Sequence, residues 1–213
     1  RVCMPPPPRT IAEYDRTAPT REATETATFA LGCFWGPDAR FGAIDGVVRT
    51  RVGYAGGTDP DPTYHALGDH TEVVQLDYDP SRIGYRALLE AAFAAHDPHR
   101  QPAKRQYHHI ICPETGTQRE TLKAYLDGEG YAREDVATRI EPLSAFYPAE
   151  SYHQKYTLRT DRTLLESFEA AGYEDEAIRE SPAAAKLNAD RAGREVAPIP
   201  ELGIGTAPRG GRE

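Results

Sequence analysis

Lysine, cysteine, methionine and tryptophan are all scarce in this chain. Acidic residues outnumber basic ones 33 to 25, giving a net charge of −8 and a pI near 5.4. A nucleic-acid surface needs a basic face or stripe, so no nucleic-acid partner is expected. Basic residues are nearly all arginine, which we take as compositional bias. The three cysteines, Cys3, Cys33 and Cys112, are odd in number and form no CxxC pair. That argues against a disulfide framework and for a reducing compartment. The seven histidines are scattered, without the close Cys/His spacing of a structural zinc site, so no metal is expected. No apolar run approaches the ~18 residues of a membrane span, and no membrane partner is expected. No charged segment leads into an apolar one near Arg1, so no secretory signal is read and a cytoplasmic location is expected. Because the chain opens on Arg1, the natural start is expected to lie upstream.

What is present describes a soluble globular protein. Hydrophobic residues make up 39%, charged residues 27%, and mean hydropathy is −0.63. A length of 213 residues suits one domain with tails. Residues 1–23, with the run Pro5 to Pro8, are expected to form a mobile Pro-rich arm. Strands are expected over Thr26–Leu31, Val47–Tyr54, Thr71–Tyr78, Tyr107–Cys112 and Ala137–Leu143. Helices are expected over Cys33–Ile44, from Asp79 to about His96, over Glu114–Leu126 and over Leu164–Ala171. Pro37 is tolerated only in a helix's first turn, so the first of these should begin near Cys33. A C-terminal helix and a loose Pro/Gly-rich tail are expected within 176–213. The order β-α-β-β-α-β-α-β implies an α+β domain, with helices packed on a mixed, mostly antiparallel sheet.

The stretch Gly32-Cys33-Phe34-Trp35-Gly36 carries the strongest chemical signal. A cysteine at a strand-to-helix junction meets free backbone N–H groups, which favour a thiolate. The flanking glycines permit a tight turn and leave the sulfur accessible. Taken alone, this cysteine reads more readily as a small buried hydrophobe among aromatic core residues.

Further motifs decide between those readings. GCFWG, preceded by Thr28-Phe29-Ala30-Leu31, resembles the active-site signature of the type A peptide methionine sulfoxide reductases. Val52 to Gly57 is similar to that family's second motif, Pro62-Thr63-Tyr64 to its third, and His70 to Val74 to its H-x-E-x-V stretch. His96-Asp97-Pro98, Arg105-Gln106-Tyr107, Phe146 to Glu150 and Tyr152 to Tyr156 follow in family order, so the likeness covers roughly 24–157. The resemblance implies a two-layer α+β sandwich, with residues 24–175 as the catalytic domain.

The implied activity is thiol-dependent reduction of methionine S-sulfoxide, free or in proteins, with repair of oxidised proteins as its role. A sulfoxide is a poor electrophile until its oxygen is protonated, so the reaction needs both a thiolate and an acid. By resemblance Cys33 is the nucleophile and Glu72 the acid, while Tyr64 and Tyr107 hold the sulfoxide oxygen. Phe34 and Trp35 would wall the site for the substrate's S-methyl group. The resemblance implies no cofactor, and names thioredoxin or a similar thiol as reductant. A monomer is expected. His70 and His153 belong to matched motifs, with no separate task legible in the sequence.

Two departures stand out. Relatives carry N-D-x-G-T-Q-Y ahead of the tyrosine, whereas here Pro102 takes the aspartate's place and Lys104 and Arg105 those of glycine and threonine. Asp69 and Asp97 are candidate substitutes for that aspartate. No cysteine follows Cys112, so a C-terminal resolving cysteine is missing. Cys3 is the candidate resolving residue, Cys112 looks structural, and direct reduction by an external thiol is the favoured route. The departures motivate an alternative, a degenerate sulfoxide-binding module without efficient turnover. A Cys–His hydrolase using Cys33 is a third reading.

Overall fold

A computed structural model describes residues 4–205. Six strands form one sheet: β1 Glu25–Leu31, β2 Val47–Ala55, β3 Thr71–Tyr78, β4 His109–Cys112, β5 Arg139–Ile140 and β6 Phe146–Pro148. Their order across the sheet is β5-β4-β1-β3-β2-β6, and only the β4–β5 pair is parallel. The helices are α1 Pro8–Thr17, α2 Trp35–Gly42, α3 Tyr85–Phe93, α4 Gly116–Gly128, α5 Tyr156–Thr160, α6 Arg162–Ala170, α7 Asp175–Glu180 and α8 Pro182–Arg191. This is the α+β arrangement of a mixed, mostly antiparallel sheet with flanking helices that the pattern of elements implied.

Alternation along β1 divides the core between the two faces of the sheet. Phe29 stacks on Phe41 of α2, with ring centroids 5.1 Å apart, and on Tyr85 of α3 at 6.1 Å. Ala30 turns to the other face, where Ala55, Val73, Ile110 and Cys112 lie under Leu143 and Phe146. Gly53 has no substitute there, because an added Cβ would collide with the Tyr147 carbonyl oxygen. Buried charge ties a helix to the sheet: Arg51 of β2 bridges Asp77 of β3 and Glu180 of α7. The Arg51 guanidinium, with Arg179 and Arg21, outweighs burial and holds the Glu180 carboxyl down to about 2.

Several boundaries differ from the sequence reading. Tyr107 lies in a 3-10 turn, Arg105–Tyr107, and the strand begins at His109. The strand expected over Ala137–Leu143 shrinks to Arg139–Ile140, since Pro142 cannot donate to a ladder, and an unexpected strand follows at Phe146–Pro148. The helix expected from Asp79 starts at Tyr85, because the Asp79 carboxylate accepts the Ser81 N–H and holds a turn.

The expected mobile arm is the larger correction. From Pro8 the chain is helical, since proline's missing N–H costs nothing in a first turn. Ile11 of α1 is fully buried in a second core with Leu158, Leu164, Phe168, Ile178, Leu187, Leu202 and Ile204. The Asp15 carboxylate accepts bonds from the Ala183 N–H (2.7 Å), the Ser181 hydroxyl (2.6 Å) and the Tyr173 hydroxyl (2.8 Å). The expected loose tail is corrected too: Ile199 and Ile204 pair in a bridge, and Leu202 and Ile204 are buried. Residues 206–213 of that tail, and Cys3, lie outside the described residues.

Asp15 gives a direct test of this second core. Asp15→Ala leaves its donors without an acceptor, so unfolding free energy should fall by about 2–3 kcal/mol in urea titrations. Unchanged stability would mean that α1 is not docked as described.

Candidate active site

At the end of β1, Gly32 takes φ +82°, a conformation in which a side chain is strained. The chain therefore leaves the sheet abruptly, and Cys33 emerges exposed between β1 and α2. The Trp35 amide N–H points at its sulfur and favours the thiolate. Partial desolvation and the negative charge of Glu72 act the other way and prevail, so the thiol is pushed above its ordinary value. This corrects the expectation of a resting thiolate: one aligned amide does not offset the desolvation of the sulfur.

Glu72 is the second residue of β3, opposite Tyr54 of β2, and is 1% exposed. Its Oε2 accepts the Phe34 amide N–H at 3.0 Å, and its Oε1 accepts the Gln106 side-chain N–H at 2.7 Å. Those donors favour the carboxylate, but burial outweighs them and pushes the carboxyl above its ordinary value. Cys33 and Glu72 thus discourage each other's ionisation. Protonating Glu72 makes a thiolate easier to form.

Aromatic side chains surround them. The Tyr107 hydroxyl sits near Glu72, Tyr64 and Cys33, and together with desolvation these push it up. Phe34 is 1% exposed and packs on Tyr54 and His153. Trp35 stacks face to face on Tyr156, with centroids 3.8 Å apart. Tyr64 is 37% exposed on the loop between β2 and β3. The structure therefore gathers Cys33, Glu72, Tyr64, Tyr107, Phe34 and Trp35 into one neighbourhood.

Residues without an assigned role in the sequence reading hold this neighbourhood together. Glu150 accepts the Tyr54 hydroxyl at 2.7 Å and the Tyr64 amide at 2.8 Å, which pins the Tyr64 loop to β2. His70 accepts the Gly57 N–H at Nδ1, so its Nε2–H donates to the Asp59 carbonyl at 2.7 Å. Only their presence in matched motifs signalled these residues, because both contacts join segments distant in sequence. The candidate substitutes for the missing aspartate are engaged elsewhere. Asp69 accepts bonds from Thr58 and Asp59, chiefly the Thr58 N–H, and these hold its carboxyl down to about 2. Asp97 accepts the His99 N–H. Instead, Arg105 donates to the Asp69 and Gly56 carbonyls, and its own carbonyl accepts the Thr71 hydroxyl. That clamp seats the turn which delivers Gln106 and Tyr107.

Cys112 is 4% exposed, and burial pushes its thiol up to about 12. It pairs with Thr28, whereas Cys33 lies beyond Leu31 at the end of the same strand. At ~3.3 Å per residue the two cysteines are roughly 15 Å apart, well past disulfide reach.

An exposed thiol beside a buried, proton-retaining carboxyl, at the end of a central strand of the sheet, is the equipment of a cysteine-dependent enzyme. The sequence model of the family described as peptide methionine sulfoxide reductase matches residues 25–184, and the chain belongs to that family. Peptide methionine sulfoxide reductase A5 of Oryza sativa subsp. japonica is 44% identical over 176 residues, covering 78% of this chain and 68% of the relative. Peptide methionine sulfoxide reductase of Drosophila melanogaster is 42% identical over 171 residues, covering 79% and 68%. Among solved structures, methionine sulfoxide reductase A of Corynebacterium diphtheriae superposes with TM-score 0.55 at 34% identity, covering 67% of this chain and 78% of that one. Reduced Mxr1 of Saccharomyces cerevisiae gives TM-score 0.57 at 27% identity, covering 68% and 91%.

Proposed function

We propose that the protein reduces methionine S-sulfoxide, in peptides and free, by transferring the sulfoxide oxygen to Cys33. The observation that carries this reading is the buried Glu72 carboxyl, which holds the Phe34 amide next to Cys33 and retains its proton more readily than an ordinary glutamate. The pair of thiol and carboxylate, which carries a single negative charge, converts to thiolate and carboxylic acid by moving one proton. In that second state the thiolate attacks the substrate sulfur while Glu72 protonates the sulfoxide oxygen. Tyr64 and Tyr107 hold that oxygen by their hydroxyls, and Phe34 and Trp35 face the S-methyl group. The sulfur–sulfur bond so formed and the substrate S–O bond then break as the hydroxyl passes to the Cys33 sulfur, so methionine leaves, Cys33 is left as a sulfenic acid and Glu72 as a carboxylate. Two electrons from an external thiol then restore it. The first thiol displaces water to form a mixed disulfide, and the second releases Cys33.

Thioredoxin or a similar dithiol is our proposed reductant, acting in the cytoplasm as part of protein repair. The exposure of Cys33 and the burial of Cys112 support direct reduction. Oxidised enzyme analysed by mass spectrometry should carry no Cys33–Cys112 disulfide, and with excess thiol it should carry a mixed disulfide at Cys33. A Cys3–Cys33 disulfide formed in step with turnover would overturn direct reduction.

The competing hydrolase reading fits the site poorly, since the Cys33 sulfur is met by an amide and the nearby His153 is engaged by Trp35. The binding-module reading is separated by a dithiol-coupled assay on a peptide containing methionine S-sulfoxide. Release of methionine with consumption of dithiol supports the reductase. Binding without release would overturn it.

A further inference from the structure

His153 has a bonding pattern that the proposed reaction leaves unused. It lies at the end of the 3-10 turn Ser151–His153 and is 2% exposed. Its ring packs against Phe34 at 5.1 Å, Tyr64 at 4.9 Å and Tyr152 at 4.2 Å, measured between centroids. The Trp35 indole N–H donates to its Nδ1 at 3.2 Å. An indole nitrogen is a donor only, so Nδ1 must be the unprotonated ring nitrogen. The proton of the neutral ring is thereby fixed on Nε2, which is buried and has no partner.

This arrangement admits one protonation state. A proton on Nδ1 would set two donors against each other. Added to a ring that keeps its Nε2 proton, it would also create a buried cation beside Glu150, a carboxylate that already accepts bonds from Tyr54 and Tyr64. Burial correspondingly pushes the imidazole below its ordinary value. Kept neutral, His153 presents a permanent acceptor to Trp35. The indole needs one, because it is only partly buried and its stacking on Tyr156 leaves it free to slide and turn in its own plane. Stacking fixes the plane of the ring, and the N–H bond fixes its angle within that plane.

We propose that His153, as the neutral Nε2–H tautomer, is the positioning residue that locks the Trp35 indole in register and thereby sets affinity for the substrate's methyl-sulfoxide side chain. Its action is on binding and not on proton transfer, since neither Cys33 nor Glu72 bonds to it. The inference rests on the sulfoxide-reductase reading for its kinetic readout alone; its spectroscopic readout stands without that reading.

Trp35 is the only tryptophan in the chain, so the protein gives a single indole N–H signal in a nitrogen–proton correlation spectrum. His153→Phe keeps an aromatic filler but removes the acceptor. His153→Asn returns an amide oxygen close to the Nδ1 position. In His153→Phe the indole signal should move upfield and its exchange with solvent should quicken, and KM for a sulfoxide peptide should rise about fivefold to tenfold, the scale of one hydrogen bond. The single-turnover rate at saturating peptide should stay within about twofold, since a binding-only loss raises KM alone. His153→Asn should restore both the indole signal and KM. In a Trp35→Phe background, His153→Phe should add no further rise in KM, as expected for two residues acting through one bond. An unmoved indole signal in His153→Phe overturns the proposal. So does a KM that rises equally in His153→Asn, or one that rises additively with Trp35→Phe. Should His153→Phe fail to fold, the indole signal of His153→Asn decides alone: retention near the wild-type position supports the lock, and collapse to that of a solvent-exposed indole refutes it. A moved indole signal with no measurable sulfoxide turnover in any variant, wild type included, would spare the lock and sink the reductase reading.

Discussion

Replacing Cys33 with serine is expected to abolish sulfoxide reduction. A hydroxyl at neutral pH is a far weaker nucleophile than a thiolate, and losing the nucleophile of an enzyme typically costs at least ~10⁴-fold. The fold should survive, because Cys33 is exposed and its side chain packs in neither core. Cys112→Ser should leave the single-turnover rate at the wild-type level, since that thiol is buried in β4 and pushed up to about 12. Single-turnover assays of methionine release from a sulfoxide peptide distinguish the two variants. Substantial release by the Cys33 variant would remove the basis of the assignment.

Replacing Glu72 with glutamine should slow formation of the sulfenic acid by about 10²–10⁴-fold, the usual worth of a general acid. The amide preserves shape and can still accept the Phe34 N–H, so folding should be little affected. A second effect has the opposite sign. The Glu72 charge helps to push the Cys33 thiol up, so its removal should let that thiol ionise at lower pH than in the wild type. Alkylation of Cys33 as a function of pH reads this directly, and the midpoint should shift downward. A variant that is more reactive toward an alkylating agent yet slower toward a sulfoxide separates acid catalysis from thiolate supply. A single-turnover rate within a few-fold of wild type would make Glu72 structural.

The parts of the fold with clear periodicity were legible. β2 and β3 alternate over eight or nine residues and end at glycine or Asp-Pro, and both fall where expected. The N-terminal and C-terminal elements were harder. In α8 all residues from Pro182 to Ala189 are buried, so the helix has no polar face and shows no stripe; only a C-terminal helix of unspecified bounds was legible. The proline run disguised α1, although Pro8 only starts it. Its docking depends on Asp15 meeting Ser181 and Ala183, a contact that no local pattern announces.

The site divides in the same way. Cys33 was visible from its glycine-flanked junction, and Glu72 from the motif that resembles the family's. The sign of the thiol shift was not, because it depends chiefly on how far the folded chain desolvates the sulfur. Gln106, Glu150 and Arg105 act across long sequence separations, and their roles appear only once β1, β2 and β3 stand side by side. Near Pro102, where the chain departs from its relatives, the Arg105 guanidinium ties the turn carrying Gln106 and Tyr107 to the Asp69 and Gly56 carbonyls.

Mass spectrometry of the protein after one turnover with a methionine S-sulfoxide peptide, in the absence of reductant, tests the central claim most directly. Oxygen transfer to Cys33 predicts one methionine released per enzyme and one added oxygen on the peptide that contains Cys33, trapped as an adduct by a sulfenic-acid reagent. Methionine released with Cys33 unmodified, or Cys33 oxidised with no methionine released, would contradict it.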